Sequence, residues 1–315
     1  MRVLKRFARL ILVFVVVTFF TFFLLDRAPG DPVAARAGLN ATPEALAEIR
    51  ADLGLDDPLI VRYGNWLGDA LRLDFGDSVV LEGFSSWDLI SEALPNTVQL
   101  IVLAEIMAIG ISVPLAIASA RRPGGWIDKL ASGGAFGLLA LPAFVLGIYL
   151  AFFFGVQLGW FPTIVDDLPS FFSDPLGNLH QMFLPSLTLA LNLVAVYLRL
   201  LRTDMIDTLQ QDYVMLAQAR GLSDRRIMWR HVLRPSSLNF MTAAGLQIAG
   251  LIGGVFIVEV LFAINGMGRL VIFSVVLEDF AVVAAIVALL TVSYVVLNFI
   301  VDLLYSRVDP RIRDA

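Results

Sequence analysis

The chain has 315 residues, 58% of them hydrophobic and only 16% charged, against about 25% charged in an ordinary soluble domain. A chain this apolar needs lipid as its solvent, which excludes a water-soluble globular fold. The net charge of −5 says little until it is divided between the two sides of a membrane; with no cysteine, neither a disulfide framework nor thiolate metal ligation is available.

Six segments are long enough to cross a hydrocarbon core of roughly 30 Å, which takes about 20 helical residues. They are 7–25, 97–120, 130–158, 182–198, 235–262 and 280–301, and within them only Arg9, Glu105 and Glu259 are charged. Their many β-branched residues favour strands in water, but in a bilayer every backbone group must be paired internally. Barrel strands are short and alternate in polarity, and stretches such as 10–20 and 255–262 do not alternate. The expected fold is all-α and polytopic.

At the start of the chain, Arg2, Lys5, Arg6 and Arg9 precede an apolar run, an outline shared with secretory signals. The run is longer than a signal's apolar region, and Asp26-Arg27-Ala28-Pro29 stands where a small-x-small cleavage site would follow, so it is read as the first span. Residues 26–96 are too polar for membrane and, at 71 residues, too long for a simple connector. A folded external segment is expected. Thr42-Pro43-Glu44-Ala45 supplies a capping threonine, a proline at the first helical position and an acid in the first turn. It opens an amphipathic helix on Leu46, Ile49, Leu53 and Leu55, ending at Gly54. Tyr63, Trp66, Leu67, Ala70 and Leu71 then recur at helical spacing, either at the membrane interface or as the core of a small cap.

The second span carries Glu105, and an acid within a span usually faces a cavity or a partner. Between the fourth and fifth spans, 203–235 is polar and sharply punctuated. Residues 207–220 read as a helix closed by Gly221, which can take the left-handed conformation of a helix stop. Ser223 then caps a second short helix from Asp224 to about His231, before Pro235 opens the fifth span. The result is a helix–Gly–helix elbow at the membrane surface. In the fifth span Ala249, Gly250, Gly253 and Gly254 set small residues four apart, allowing close helix contact or a hinge. Glu259 lies near enough to its end to snorkel, as an interfacial carboxylate or as part of a gate or receptor contact.

Seventeen of the 23 basic residues fall at the N-terminus, between spans two and three, on the elbow and in the tail. The positive-inside rule therefore places both termini in the cytoplasm. Residues 26–96 face outward with five arginines against thirteen acids, so the outer surface is acidic. The organisation expected is a cytoplasmic N-terminus and first span in 1–25, the external segment in 26–96, a membrane core in 97–305 containing the elbow 203–235, and a cytoplasmic tail in 306–315.

ATP-burning chemistry would need a GxxxxGK[ST] phosphate loop, and neither lysine, Lys5 or Lys129, follows a glycine. His180 and His231 lie far apart and form no HExxH, and GxSxG is missing. No catalytic site, metal or cofactor is expected, so energy must come from a partner or an ion gradient. An ion-coupled carrier would want several intramembrane ionisable groups and paired broken helices; Glu105 alone is a poor proton relay.

The elbow phrase Asp212-Tyr213-Val214-Met215-Leu216-Ala217-Gln218-Ala219-Arg220-Gly221-Leu222-Ser223 resembles the EAA loop of binding-protein-dependent ABC importer permeases. Met215 and Leu216 depart from the family's glutamate and first alanine, while Ala217 and Gly221 keep register. Arg230-His231-Val232-Leu233-Arg234 is similar to the dipeptide and oligopeptide branch. So are, in order, Leu53-Gly54-Leu55-Asp56-Asp57-Pro58, Asp74-Phe75-Gly76-Asp77-Ser78, Leu94-Pro95-Asn96-Thr97, Val258-Glu259-Val260-Leu261-Phe262, Gly266-Met267-Gly268-Arg269-Leu270, and the endings Val301-Asp302-Leu303-Leu304-Tyr305 and Val308-Asp309-Pro310-Arg311-Ile312-Arg313.

The resemblance implies a type I ABC importer permease fold in the cell inner membrane. It implies as partners a homologous second permease, two ATP-binding cassette ATPase subunits and an external solute-binding protein, with no nucleic acid. Peptides are the implied cargo, with nickel chelates and oligosaccharides handled by close relatives. The elbow would be a coupling helix docking on an ATPase through Asp212, Tyr213, Ala217, Arg220, Gly221, Leu222, Ser223, Arg225 and Arg226. Ala217, Gly221 and Tyr213 share a helical face that would let the partner approach. Glu105, Gly250, Gly254, Glu259, Gly266 and Gly268 are candidates for a gate or receptor contact.

Overall fold

The protein is described by a computed structural model covering residues 2–28, 33, 42–52, 54–81, 83–165 and 167–308. Leu53 of the predicted amphipathic helix and the tail at 309–315 lie outside these residues. The chain forms α1 (Arg2–Arg27), α2 (Pro43–Asp52), α3 (Leu59–Ala70), α4 (Ser86–Arg121), α5 (Trp126–Ala140), α6 (Ala143–Leu150), α7 (Pro175–Leu209), α8 (Asp212–Ala219), α9 (Asp224–Arg226), α10 (Leu233–Leu261), α11 (Met267–Val276) and α12 (Phe280–Val308). π-helical turns at Ala151–Gln157 and Ile227–Val232 extend α6 and join α9 to α10.

Among the described residues, α4, α7 and Phe280–Leu297 of α12 are single helices long and apolar enough to cross a membrane. Two bent pairs raise the number to as many as five. One of them corrects the sequence reading. The segment 130–158 was expected as one span, but α5 and α6–π meet at 107° across Leu141 and Pro142. Leu141 is extended, at φ −103 and ψ 131, the conformation that a following proline imposes. The other pair lies within α10, where 239–248 and 253–261 meet at 57°, with Gly250 in the bend.

The chain divides into two compact units. The first comprises 1–97 and 265–296. In it α2 opens as expected, with Ala45 N–H donating to Thr42 Oγ1 at 3.3 Å, and the chain turns at Gly54 (φ +61). The aromatic stripe of α3 packs along α1. Tyr63 meets Phe19 edge-on at 5.2 Å, its hydroxyl shares a 2.9 Å hydrogen bond with Thr18, and Arg62 pairs with Asp26 at 2.6 Å. Leu71, counted in that stripe from its spacing, is instead exposed, as is Ile60. Helix α4 begins at Ser86, eleven residues before the predicted span, and its first turns form a small core with α11 and α12 around Ile90, Met267 and Ile286. α11 lies between the fifth and sixth expected spans and opens on the phrase Gly266-Met267-Gly268-Arg269-Leu270.

The second unit comprises 98–264 and 297–315. Its core is built on α7, whose Leu184, Leu189, Tyr197 and Leu201 are fully or almost fully buried. α5, α6 and α10 pack around it. Gly147 on α6 permits a close approach of α7 and α10: a Cβ there would come within 2.6 Å of Leu261 and 3.0 Å of Thr188.

Candidate functional site

The elbow is built from the end of α7 to the start of α10. The expected helix 207–220 is two helices, because α7 ends at Leu209 and α8 starts afresh at Asp212 after extended Gln211. The helix stop falls where the sequence placed it. Gly221 has φ +73; its N–H donates to Gln218 O at 2.9 Å and the Leu222 N–H to Ala217 O at 3.3 Å. This pair of reversed bonds is a Schellman motif, which a left-handed residue makes possible. Ser223 is extended at the start of α9, as a cap must be, but its side chain makes no capping bond. Ile227 N–H instead bonds the Ser223 carbonyl.

Ala217 does not lie on an open docking face. It is 6% exposed and, with Val214, Ile227, Met228 and Val232, turns into the unit's own core. The outward surface consists of Tyr213, Met215, Leu216 and Trp229, each about half exposed. Met215 and Leu216, which looked like departures from the family phrase, are thus among the most available apolar side chains. Trp229 escaped the sequence reading, although an aromatic between two arginines on a short surface helix was the available signal. Ser223, Arg225, Arg226, Trp229 and Arg230 line an open groove of about 520 Å³. Among the described residues, Arg220, Arg225, Arg226 and Arg230 form no ion pair, and the last three border Trp229, so positive charge adjoins this apolar surface.

Three links tie this surface to the helices behind it. The Tyr213 hydroxyl donates to the His231 carbonyl at 3.3 Å across the elbow. Ser236 on α10 shares a 3.0 Å hydrogen bond with Thr208 on α7 and also donates to the Val232 carbonyl. Leu222 packs on the same core as Ala217. Asp212 stands exposed in the first turn of α8, where a carboxylate favours the helix dipole.

The remaining candidates are scattered. Glu105 is partly buried on α4 and accepts hydrogen bonds from the Tyr197 hydroxyl at 2.8 and 3.1 Å. Glu259 is fully buried, so the expected snorkelling carboxylate is not displayed at the surface. Gly254 faces Leu189 at ordinary contact distance, whereas a Cβ on Gly250 would meet nothing within 4 Å. Gly266 and Gly268 are buried at the start of α11. There two distant phrases meet: Asn96 Nδ2 donates to Asn265 O, and Met267 N–H donates to Thr97 Oγ1, both at 2.8 Å.

Apolar helices pack around a buried α7, and the elbow leaves a basic, aromatic surface exposed. The chain belongs to the family described as binding-protein-dependent transport system inner membrane component, which matches residues 112–314, while that family's N-terminal component matches residues 1–101. A probable peptide ABC transporter permease protein of Sinorhizobium fredii is 36% identical over 99% of this chain and 98% of its own length. An oligopeptide transport system permease protein of Bacillus subtilis is 37% identical over 94% of each chain. A glutathione transport system permease protein of Salmonella typhimurium is 35% identical over 99% of this chain and 98% of its own. Two solved ABC transporters share the fold. An amino acid transporter has TM-score 0.53 at 18% identity, covering 70% of this chain and 94% of its own; the MetNI methionine transporter has 0.54 at 14%, covering 70% and 96%.

Proposed function

We propose that this permease subunit carries peptides delivered by an external solute-binding protein, and that it is driven through the elbow by ATPase partners. The observation that carries the reading is the patch of Tyr213, Met215, Leu216 and Trp229 adjoined by arginines that form no ion pair among the described residues. Exposed aromatic and apolar anchors with a charged rim are the composition of a protein docking site, and the charge selects an acidic groove on the partner. Because Val214 and Ala217 are buried in the same core as α7 and α10, movement of the docked elbow would reach the spans directly. The peptide cargo is supported by relatives named for peptide, oligopeptide and glutathione transport. The missing phosphate loop leaves hydrolysis to the partners, and a second permease would complete the path. The distribution of basic residues supports cytoplasmic termini with 26–96 outside.

The test is reconstitution with the second permease, the ATPases and the binding protein. Arg225→Glu with Arg226→Glu should leave membrane insertion intact while peptide uptake and receptor-stimulated hydrolysis fall together. Uptake by this chain alone under a proton gradient would overturn the reading. Single cysteines report orientation, since the chain has none of its own. An impermeant thiol reagent on intact cells should label position 65 and not 212.

A further inference from the structure

At the end of α7 that leads into the elbow, α5 and α7 enclose a groove of about 300 Å³ that the docking surface does not use. α5 contributes Ser132, Ala135, Phe136 and Leu139, spaced so that they share one helical face. α7 contributes Leu198, Arg199 and Arg202. The lining is graded along the helices. Ser132 and the two arginines lie at the elbow end, and Ala135, Phe136 and Leu139 continue inward along the apolar part of α5.

The charge at the elbow end is asymmetric. Arg202 is held by Asp128, its Nη2 donating to Oδ2 at 2.7 Å and its Nε to Oδ1. Asp128 is nearly buried and also accepts the Gly124 N–H at 2.8 Å, so the pair is fixed and close to neutral. Arg199 is exposed and has no acidic partner among the described residues. Lys129, one turn before Ser132 on the same face of α5, is exposed as well. The groove therefore has Arg199 in its lining and Lys129 one turn before Ser132 at one end, neither in an ion pair among the described residues, and exposed Phe136 and Leu139 at the other.

We infer that this groove binds one anionic phospholipid, with the headgroup phosphate at Arg199 and Lys129 and an acyl chain along Phe136 and Leu139. A basic pocket between membrane helices at the headgroup level suits such a lipid. A free phosphate would have no use for the apolar half, and a zwitterionic lipid would leave the cations uncompensated. The inference rests on α5 and α7 being membrane helices, and not on what the transporter carries.

Native mass spectrometry of the full chain in neutral detergent tests it, titrating phosphatidylglycerol, phosphatidylcholine and glycerol 3-phosphate separately. One phosphatidylglycerol should be retained per chain, with phosphatidylcholine binding about thirtyfold more weakly, as about 1 kcal/mol from each of the two basic residues implies. Arg199→Gln should cut the preference for phosphatidylglycerol about fivefold, Arg199→Lys should preserve it, and Leu139→Trp, which fills the apolar half without touching the charge, should abolish retention. In the assembled transporter one phosphatidylglycerol should still accompany each copy of this chain. Equal retention of the two lipids, equally tight binding of glycerol 3-phosphate, indifference to both Arg199→Gln and Leu139→Trp, or a groove filled by partner protein in the complex would each overturn the proposal.

Discussion

The hydroxyl of Ser78 donates to the carboxylate of Asp279, joining residues 201 positions apart. The other oxygen of Asp279 accepts the Val79 N–H at 3.2 Å and reaches the Val282 N–H at 3.5 Å. One buried carboxylate thus caps α12 and anchors the turn closed by the Asp77–Ser85 bridge. Asp279→Ala removes the cap and strands both donors, and should lower stability by about 1–3 kcal/mol. Thermal unfolding in detergent and limited proteolysis between 78 and 85 should both register the change. Ser78→Ala keeps the cap and the Val79 bond but strands the Val80 and Leu81 N–H groups, which donate to the Ser78 hydroxyl at 3.3 and 2.9 Å, so it should loosen the turn while leaving the start of α12 in place.

Packing around Gly147 gives a second expectation. A Cβ at this position would press on both Leu261 and Thr188, so Gly147→Val must displace α6 from α7 and α10. Overpacking of this kind costs about 1–3 kcal/mol. Gly133→Ala is the control, because a Cβ on Gly133 meets nothing within 4 Å, and alanine there favours the helix. The melting temperature should fall for the first variant and hold or rise for the second.

Glu105 and Tyr197 offer a test of what a paired acid in a span contributes. Tyr197 is fully buried, stacks edge-on against Phe240 at 5.2 Å, and serves both oxygens of the carboxylate. Tyr197→Phe should destabilise by about 1–3 kcal/mol by leaving the acid without this donor, whereas Tyr197→Phe combined with Glu105→Leu should recover most of the loss. If the double variant is as unstable as the single one, the carboxylate has a second role. Uptake assays on that double variant would then expose it.

The legible parts of this chain are those where local chemistry decides. Composition required membrane helices, Thr42-Pro43 marked a helix start, and Gly221 stood where a helix had to stop. Other features depend on what packs beneath them. Ala217 could be assigned to a helical face from spacing, but whether that face looked outward or into α7 was set by tertiary packing. Gly147 is one glycine among many in an apolar run, and only the approach of Leu261 and Thr188 singles it out. Leu141-Pro142 did carry a signal, since the residue before proline avoids helix. That signal does not decide the matter by itself, because proline is tolerated inside membrane helices. Asp279 before an apolar run was a readable cap; its bond to Ser78 was not.

The sharpest prediction returns to Gly221. At φ +73 any residue with a Cβ is strained, and a β-branched one most, by roughly 1–2 kcal/mol. Among the described residues, nothing beyond its chain neighbours lies within 4 Å of the position a Cβ would take, so against these residues the effect of Gly221→Val is conformational. The Schellman bonds from Gly221 and Leu222 should break, letting α8 fray and turning Met215 and Leu216 away from their common surface. Since the elbow lies outside the spans, the protein should still accumulate in the membrane, while transport and receptor-stimulated hydrolysis per inserted molecule decline together. Gly221→Asn separates backbone from bulk, because asparagine accepts the left-handed conformation more readily than valine. If the turn is what matters, Asn should retain more activity than Ala or Val; if a partner also needs the space beside Gly221, Asn should fail along with Val. Wild-type activity in Gly221→Val would show that the elbow does not couple hydrolysis to transport.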